Sequence, residues 1–269
     1  MKDKYTITPI PALKDNYIWA ITIPNQSSCV IVDPGESNPV ESFLNNNQYN
    51  LTDILVTHHH YDHTDGIEML KDKYKCRVWG SINSKCSHVD KFVRDKDIIY
   101  IPKLDLKLTT IETPGHTLDH VVFFNDQMAF TGDTLFLGGM GKIFEGSAKQ
   151  MFESLQKITK INKTTKVYCG HEYTMPNLEF AILVEPENEY IIKRLAKVRG
   201  LRKNNKVTIP ATLKEELLTN PFLRTDNKNI ISNVISNNYS QTTDRTDILA
   251  GIRKWKDLQI QLDSPDQKC

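Results

Sequence analysis

The chain has 269 residues, 34 basic and 33 acidic side chains, a net charge of +1 and 39% hydrophobic residues. That length supports a self-sufficient core in one large domain or one with an appendage, and the charge balance excludes a global electrostatic footprint for nucleic acid or an anionic membrane. Cys29, Cys76, Cys86, Cys169 and Cys269 are scattered without a CxxC pair, and neither a signal-like apolar run nor a stretch of about 18 apolar residues occurs, so a soluble cytoplasmic protein with reduced thiols is expected.

In chain order, "YIWAITI" (17–23), "CVIVDPG" (29–35), "DILVTH" (53–58) and "KVYCGH" (166–171) are short, β-branched or aromatic runs bounded by turn residues, the pattern of buried strands. Ile67, Leu70 and Tyr74 fall at i, i+3 and i+7, predicting an amphipathic helix after "THHHYDH". "LDLKLTTI" (104–111) alternates at Leu104, Leu106 and Leu108 like a strand with one wet face, and Asn125-Asp126 between two apolar runs predicts a hairpin. A helix is expected near 148–161. From about residue 173 the character becomes helical: "PENEYIIKRLAKVRG" carries Pro186 near its start and Gly200 at its end, Thr212 and Glu215 form a capping box, and Ile248, Ile252 and Trp255 share a face of a last helix. The Asn-rich stretches 45–50 and 226–238 read as loops.

The chemistry concentrates in "THHHYDH" (57–63). If the chain stays extended beyond "DILVT", residues 58, 60 and 62 point to one side, His59 to the other, and His63 lies at the turn into the helix. His116, Asp133 and His171 each follow a predicted strand and a glycine, which places them at strand ends where α/β sheets gather ligands. Each of these turns is ordinary alone; their joint occurrence with the histidine cluster is what points to metal. Five histidines and two aspartates exceed the needs of one tetrahedral zinc, whereas two divalent ions roughly 3.5–4 Å apart could share Asp133. Nitrogen and carboxylate donors without cysteine suit zinc, iron and manganese alike. His88 reads as solvent-facing, and His120, at the start of an apolar run, as a packed or supporting histidine.

"THHHYDH", "PGHT", "TGDT" and "CGHEYT", in this order, resemble the binuclear metallo-β-lactamase fold. With "PALKDNYIW", "VDPGE", "GKIFEGS", "TIPATLKEE", "NPFLR" and "GIRKWKD", nearly the whole chain is similar to the hydroxyacylglutathione hydrolase, or glyoxalase II, family. The resemblance implies a four-layer αββα catalytic region over 1–172 and a smaller, mainly helical glutathione-binding domain over 173–269. It implies two divalent ions, with Zn2+ expected and iron or manganese as alternatives. One would be held by His58, His60 and His116, the other by Asp62, His63 and His171, with Asp133 bridging. The implied reaction is hydrolysis of S-(D-lactoyl)glutathione to D-lactate and glutathione, the second step of methylglyoxal detoxification, by attack of metal-held hydroxide on the thioester carbonyl, with Asp62 and Asp133 as the catalytic carboxylates. Lys142, Phe144, Tyr173, Arg253 and Lys256 match glutathione contacts, although "IRKWKD" alone reads as a solvated helix face. A small-molecule substrate, no nucleic-acid or membrane partner and a monomer are expected. Phe144 stands where some relatives have tyrosine, and Asp65 and Asp119 where the family commonly has glycine. The nearest alternative is a glutathione persulfide dioxygenase of the same fold with mononuclear iron; a nuclease of that fold and a non-enzymatic metal-binding protein are further rivals.

Overall fold

The computed structural model describes residues 4–263. Cys269 lies outside them; Cys29, Cys76, Cys86 and Cys169 are free thiols.

The first sheet is built in sequence order from β1 (Thr6–Ala12), β2 (Asn16–Thr22), β3 (Ser28–Val32), β4 (Asn50–Leu55), β5 (Arg77–Ser81) and β6 (Lys91–Val93). β1, β2 and β3 pair antiparallel, and β3 through β6 pair parallel. The first two parallel pairs are joined by helical crossovers, α1 (Ser37–Asn47) between β3 and β4 and the single turn α2 (Tyr61–Thr64) with α3 (Ile67–Tyr74) between β4 and β5, while a loop joins β5 to β6. Because side chains alternate across a strand, β2 buries Ile18 and Ala20 against Val40, Leu44, Ile67 and Leu70 of these helices, and Tyr17, Trp19 and Ile21 toward the second sheet.

The second sheet runs through β7 (Ile98–Ile101), β8 (Leu106–Glu112), β9 (Val121–Phe124) and β10 (Met128–Gly132), with two later strands, 166–169 and 211–212, at its far side. A small ribbon of β11 (Leu135–Phe136) and β12 (Gly139–Met140) and then α4 (Ala148–Ile158) precede β13 (Lys166–Cys169), which joins β10 in parallel. Phe123, Phe130 and Leu108 from this sheet meet Trp19 and Val30 from the first, while α4 sends Met151, Leu155 and Ile158 into the same core. The layers therefore run helix, sheet, sheet, helix, and two sheets each buried on both faces bring their strand ends to a common edge. Two links fix that edge: Tyr17 N–H donates to Gly170 O at 2.8 Å, and Trp19 Nε1–H to Cys169 O at 2.9 Å.

The remaining chain forms α5 (Thr174–Val184), α6 (Glu189–Lys203), the short strand β14 (Ala211–Thr212), α7 (Leu213–Thr219), α8 (Lys228–Ser236) and α9 (Arg245–Asp263). The capping box appears as expected: Thr212 Oγ1 accepts from Glu215 N and the Glu215 carboxylate accepts from Thr212 N. Three expectations need correction. Gly200 does not stop its helix: α6 starts after Asn188, whose side chain accepts from Tyr190 N and Ile191 N, and runs through Gly200 to Lys203. The Asn-rich stretch 226–238 is not a loop, because Asn227 caps α8 and Ile230 and Val234 bury its inner face. Likewise, residues 45–47 complete α1 and Asn50 opens β4.

Candidate metal centre

Four strand ends deliver the donors. Beyond Leu55 one further N–H, that of Val56, still donates to Trp79 O of β5 at 2.8 Å, and the chain then leaves the sheet as Thr57 N–H donates to the Asp33 carboxylate at 2.8 Å. The chain is thus not extended through residue 62. His58 to His60 form a loop and α2 begins at Tyr61, so a helical turn, not strand alternation, brings in Asp62 and His63. His116 follows β8, Asp133 follows β10 and His171 follows β13. The glycine before Asp133 is required: Gly132 has φ +45°, and a Cβ there would lie 2.7 Å from His120 Nε2. At Gly170 a Cβ would sit 2.7 Å from Asp133 Oδ1.

The seven side chains come together in two groups. His58 Nε2 and His116 Nε2 lie 3.1 and 3.0 Å from His60 Nδ1. Asp62 Oδ2 lies 3.6 Å from His63 Nε2 and 3.4 Å from His171 Nε2. Asp133 stands between the groups, with Oδ1 3.4 Å from His63 Nε2, and Oδ2 3.4 Å from His171 Nε2 and 3.6 Å from His116 Nε2. Donors bonded to a shared zinc at 2.0–2.2 Å in tetrahedral array would be separated by roughly 3.3 Å. His63 Nε2 and Asp133 Oδ1 are buried and have no hydrogen-bond partner among the described residues, a costly state that a cation would relieve. The donor set fits a pair of divalent ions.

Four of the five converging nitrogens, those of His58, His63, His116 and His171, are oriented from behind. His63 Nδ1 faces Asp33 Oδ2 at 3.0 Å and His171 Nδ1 faces Asp15 Oδ1 at 2.8 Å; His116 Nδ1 donates to Lys142 O at 2.7 Å. His58 Nδ1 lies 3.0 Å from Thr57 Oγ1. Protonating the rear nitrogens leaves the front ones as lone-pair donors. Asn16 Nδ2 donates to Asp62 Oδ2 at 3.0 Å. His120 is fully buried, stacks on His58 and accepts the Asp133 N–H at 3.1 Å, which fits a supporting role. Asp15, Asp33, Asn16 and Thr57 were not singled out from sequence, although "LKDNYIW" and "VDPGE" contain three of them.

The electrostatics divide the same way. Burial, reinforced by neighbouring histidines, lowers the pKa of His58 and of His60, and burial also outweighs Asp133 in lowering that of His116. Burial opposes charge on Asp133 and Asp62 too, yet the surrounding imidazoles hold both carboxyls well below their usual range. Burial would lower His171, but Asp133, Asp15 and Asp62 together raise it far above an ordinary histidine. His58, His60 and His116 are thus kept neutral, whereas the ionised carboxylates favour the protonated forms of His63 and His171; a bound cation would take the place of those protons.

His59 takes no part in either group; its Nδ1 lies 2.8 Å from Asp119 Oδ1. Asp65 adopts an ordinary right-handed helical conformation (φ −62°, ψ −22°), and Asp119 is not among the residues with positive φ, so neither site needs glycine. His88 is half-buried, not solvent-facing.

A cleft of about 770 Å³ opens beside the metal cluster, lined by Lys142, Tyr173, Arg253 and Lys256 with Phe136 and Phe180. Tyr173 stacks on His171 with ring centroids 4.8 Å apart, tying the cleft to the cluster. Arg253 and Lys256 share a face of α9 and are only 6% and 8% exposed, so "IRKWKD" is not a solvated face. Burial lowers the pKa of each, and Arg253 lowers that of Lys256 further. Arg253 donates to Met140 O at 3.2 Å and pairs with Asp257 at 2.7 Å; its Nε has no partner among the described residues. Lys256 Nζ donates to Asn177 Oδ1. Phe144 lies outside this cleft, 61% exposed, edge-on to His60 and His116 at 5.6 and 5.2 Å.

Two stacked sheets flanked by helices, with a seven-donor His/Asp array at their strand ends, define a metallo-β-lactamase superfamily protein, and residues 14–171 match that superfamily. Residues 172–259 match the family described as hydroxyacylglutathione hydrolase C-terminus. A hydroxyacylglutathione hydrolase of Idiomarina loihiensis is 44% identical over 92% of this chain and 97% of its own length, and one of Pseudomonas fluorescens 41% identical over 93% and 98%. The chain belongs to the hydroxyacylglutathione hydrolase family. Among solved structures, ETHE1 from Myxococcus xanthus aligns with a TM-score of 0.62 at 22% identity over 94% of this chain and 97% of its own, a likeness of fold.

Proposed function

We propose that the chain hydrolyses S-(2-hydroxyacyl)glutathione thioesters, converting S-(D-lactoyl)glutathione and water to D-lactate and glutathione. The observation that carries this reading is the buried Arg253–Lys256 pair in a cleft tied to the seven-donor metal array by Tyr173, which stacks on His171. Glutathione presents two carboxylates and one ammonium, and a carboxylate gains most from cations held out of water. Lys142 and Tyr173 line the same cleft as that pair.

His58, His60 and His116 would hold one ion and Asp62, His63 and His171 the other, with Asp133 shared; Zn2+ is the proposed ion. Two such ions supply Lewis acidity for a carbonyl and can lower the pKa of water from about 16 to about 7. The chain's own groups do the rest. Asp62 and Asp133, kept ionised by the adjacent imidazoles, would balance the charge of the ions. Asp15 and Asp33 keep the rear protons on His171 and His63. Tyr173 and Phe136 keep bulk water from the reacting thioester, Phe144 offers an exposed apolar edge beside His60 and His116, and Arg253 and Lys256 bind the tripeptide's carboxylate end.

The dioxygenase reading is not favoured: relatives near 40% identity over most of the chain are named hydroxyacylglutathione hydrolases, and the C-terminal region matches that family. Among the described residues no helix is long and apolar enough to cross a membrane. We place the enzyme in the cytoplasm as a monomer, with its glutathione-binding domain beginning at residue 173. Comparing S-lactoylglutathione with a lactoyl thioester of N-acetylcysteamine tests the substrate assignment: the truncated thioester, lacking both carboxylates, should show a much higher KM. Equal kcat/KM for both would contradict it.

A further inference from the structure

His59 points away from the seven-donor array and meets two carboxylates brought by two other loops. Its Nδ1 is 2.8 Å from Asp119 Oδ1 and its Nε2 is 3.6 Å from Glu145 Oε1. One ligand atom from each of the three residues lies within 4.8 Å of the others. Asp119 supplies the second observation. It is 2% exposed, and while Oδ1 also accepts from Thr117 Oγ1 at 2.7 Å, Oδ2 is buried with no hydrogen-bond partner among the described residues. A buried carboxylate oxygen without a donor is a costly arrangement that calls for a bound water or a cation.

Charge and donor chemistry favour the cation. Two carboxylates face one imidazole, and among the described residues the ammonium paired with them is that of Lys85, which reaches Glu145 Oε1 from an exposed side chain. Glu145 is pinned on its other oxygen by Leu118 N–H at 2.9 Å, so Oε1 stays turned toward His59 if Lys85 swings away. One imidazole with two carboxylates is a donor set that zinc, manganese and iron(II) all accept. We propose that His59, Asp119 and Glu145 form a third divalent-cation site, distinct from the paired site, which Lys85 caps when the cation is absent. His59 and His60 rings are 5.1 Å apart, so an ion here lies close to the pair and binds more weakly by mutual repulsion. The proposal goes beyond the thioesterase reading and does not depend on it.

The test is titration of the metal-free full-length protein with Mn2+, counted by native mass spectrometry and electron paramagnetic resonance. Wild type should bind three ions per chain, the third at least tenfold more weakly than the pair. Asp119→Asn and Glu145→Gln should each stop at two, and Lys85→Met, which removes the competing ammonium, should tighten the third severalfold. Two ions in wild type, or a third that survives both carboxylate changes, would overturn the site. Should Asp119→Asn fail to fold, the partly exposed Glu145→Gln decides alone: loss of the third ion with the pair retained supports the site, and retention refutes it.

Discussion

Asp33→Asn changes one oxygen for one NH2 group, yet it should disable the metal centre. The Asp33 carboxylate accepts three hydrogen bonds, from Thr57 N–H at 2.8 Å, Thr57 Oγ1 at 2.7 Å and His63 Nδ1 at 3.0 Å. An asparagine keeps one acceptor. If it stays on Thr57 N–H, the amide donor faces His63 Nδ1 and drives the imidazole into the tautomer with its proton on Nε2, the atom 3.4 Å from Asp133 Oδ1. If the amide turns over, donor meets donor at Thr57 instead. Losing such a supporting partner typically weakens metal affinity 10–100-fold, or about 1.4–2.7 kcal/mol. Competition for Zn2+ against a chromophoric chelator measures it, with circular dichroism confirming the fold. The effect should fall on one of the two ions. Wild-type affinity for both ions in Asp33→Asn would refute the tautomer reasoning.

Asp133→Ala should reduce bound metal to one ion or none per chain and abolish thioester hydrolysis, checked by elemental analysis of the purified variant. Arg253→Ala should chiefly raise KM, because it removes binding shared by ground and transition states; a fall in kcat at unchanged KM would contradict that role. Stripping the metals with a chelator should lower the thermal midpoint and re-adding Zn2+ should restore it, since a ligand that binds only the folded state stabilises it. Arg194→Met should cost about 3–5 kcal/mol in urea unfolding, because it strands the fully buried Glu216, which Arg194 pairs with at 2.5 Å and which also accepts from Gly138 N at 2.9 Å.

The α/β character and all seven converging side chains were legible in the sequence because each donor lies at or just beyond a strand end, and short apolar runs bounded by turns mark those ends; the αββα layering followed from the resemblance of the motifs. The manner of convergence was not. Period-two alternation cannot reveal that the chain leaves the sheet at Thr57, since what draws its N–H away is the carboxylate of Asp33, 24 residues earlier. Asp15 supports His171 across 156 residues, and no local pattern encodes such a pairing. The Asn-rich α8 was missed for a related reason: asparagine has low helix propensity, and burial of Ile230 and Val234 outweighs it. "IRKWKD" looked like a wet face because charged residues usually are; only packing against Met140, Asn177 and Phe180 shows that its two cations are held inside a cleft.

The hydrolase reading is tested most directly by following thioester absorbance of S-lactoylglutathione with protein loaded separately with zinc, iron and manganese while bound metal is counted. Hydrolysis with two ions per chain, lost on chelation and regained on reloading, is the expected result. No thioester loss with any of the three metals, or oxygen consumption with glutathione persulfide in its place, would contradict it.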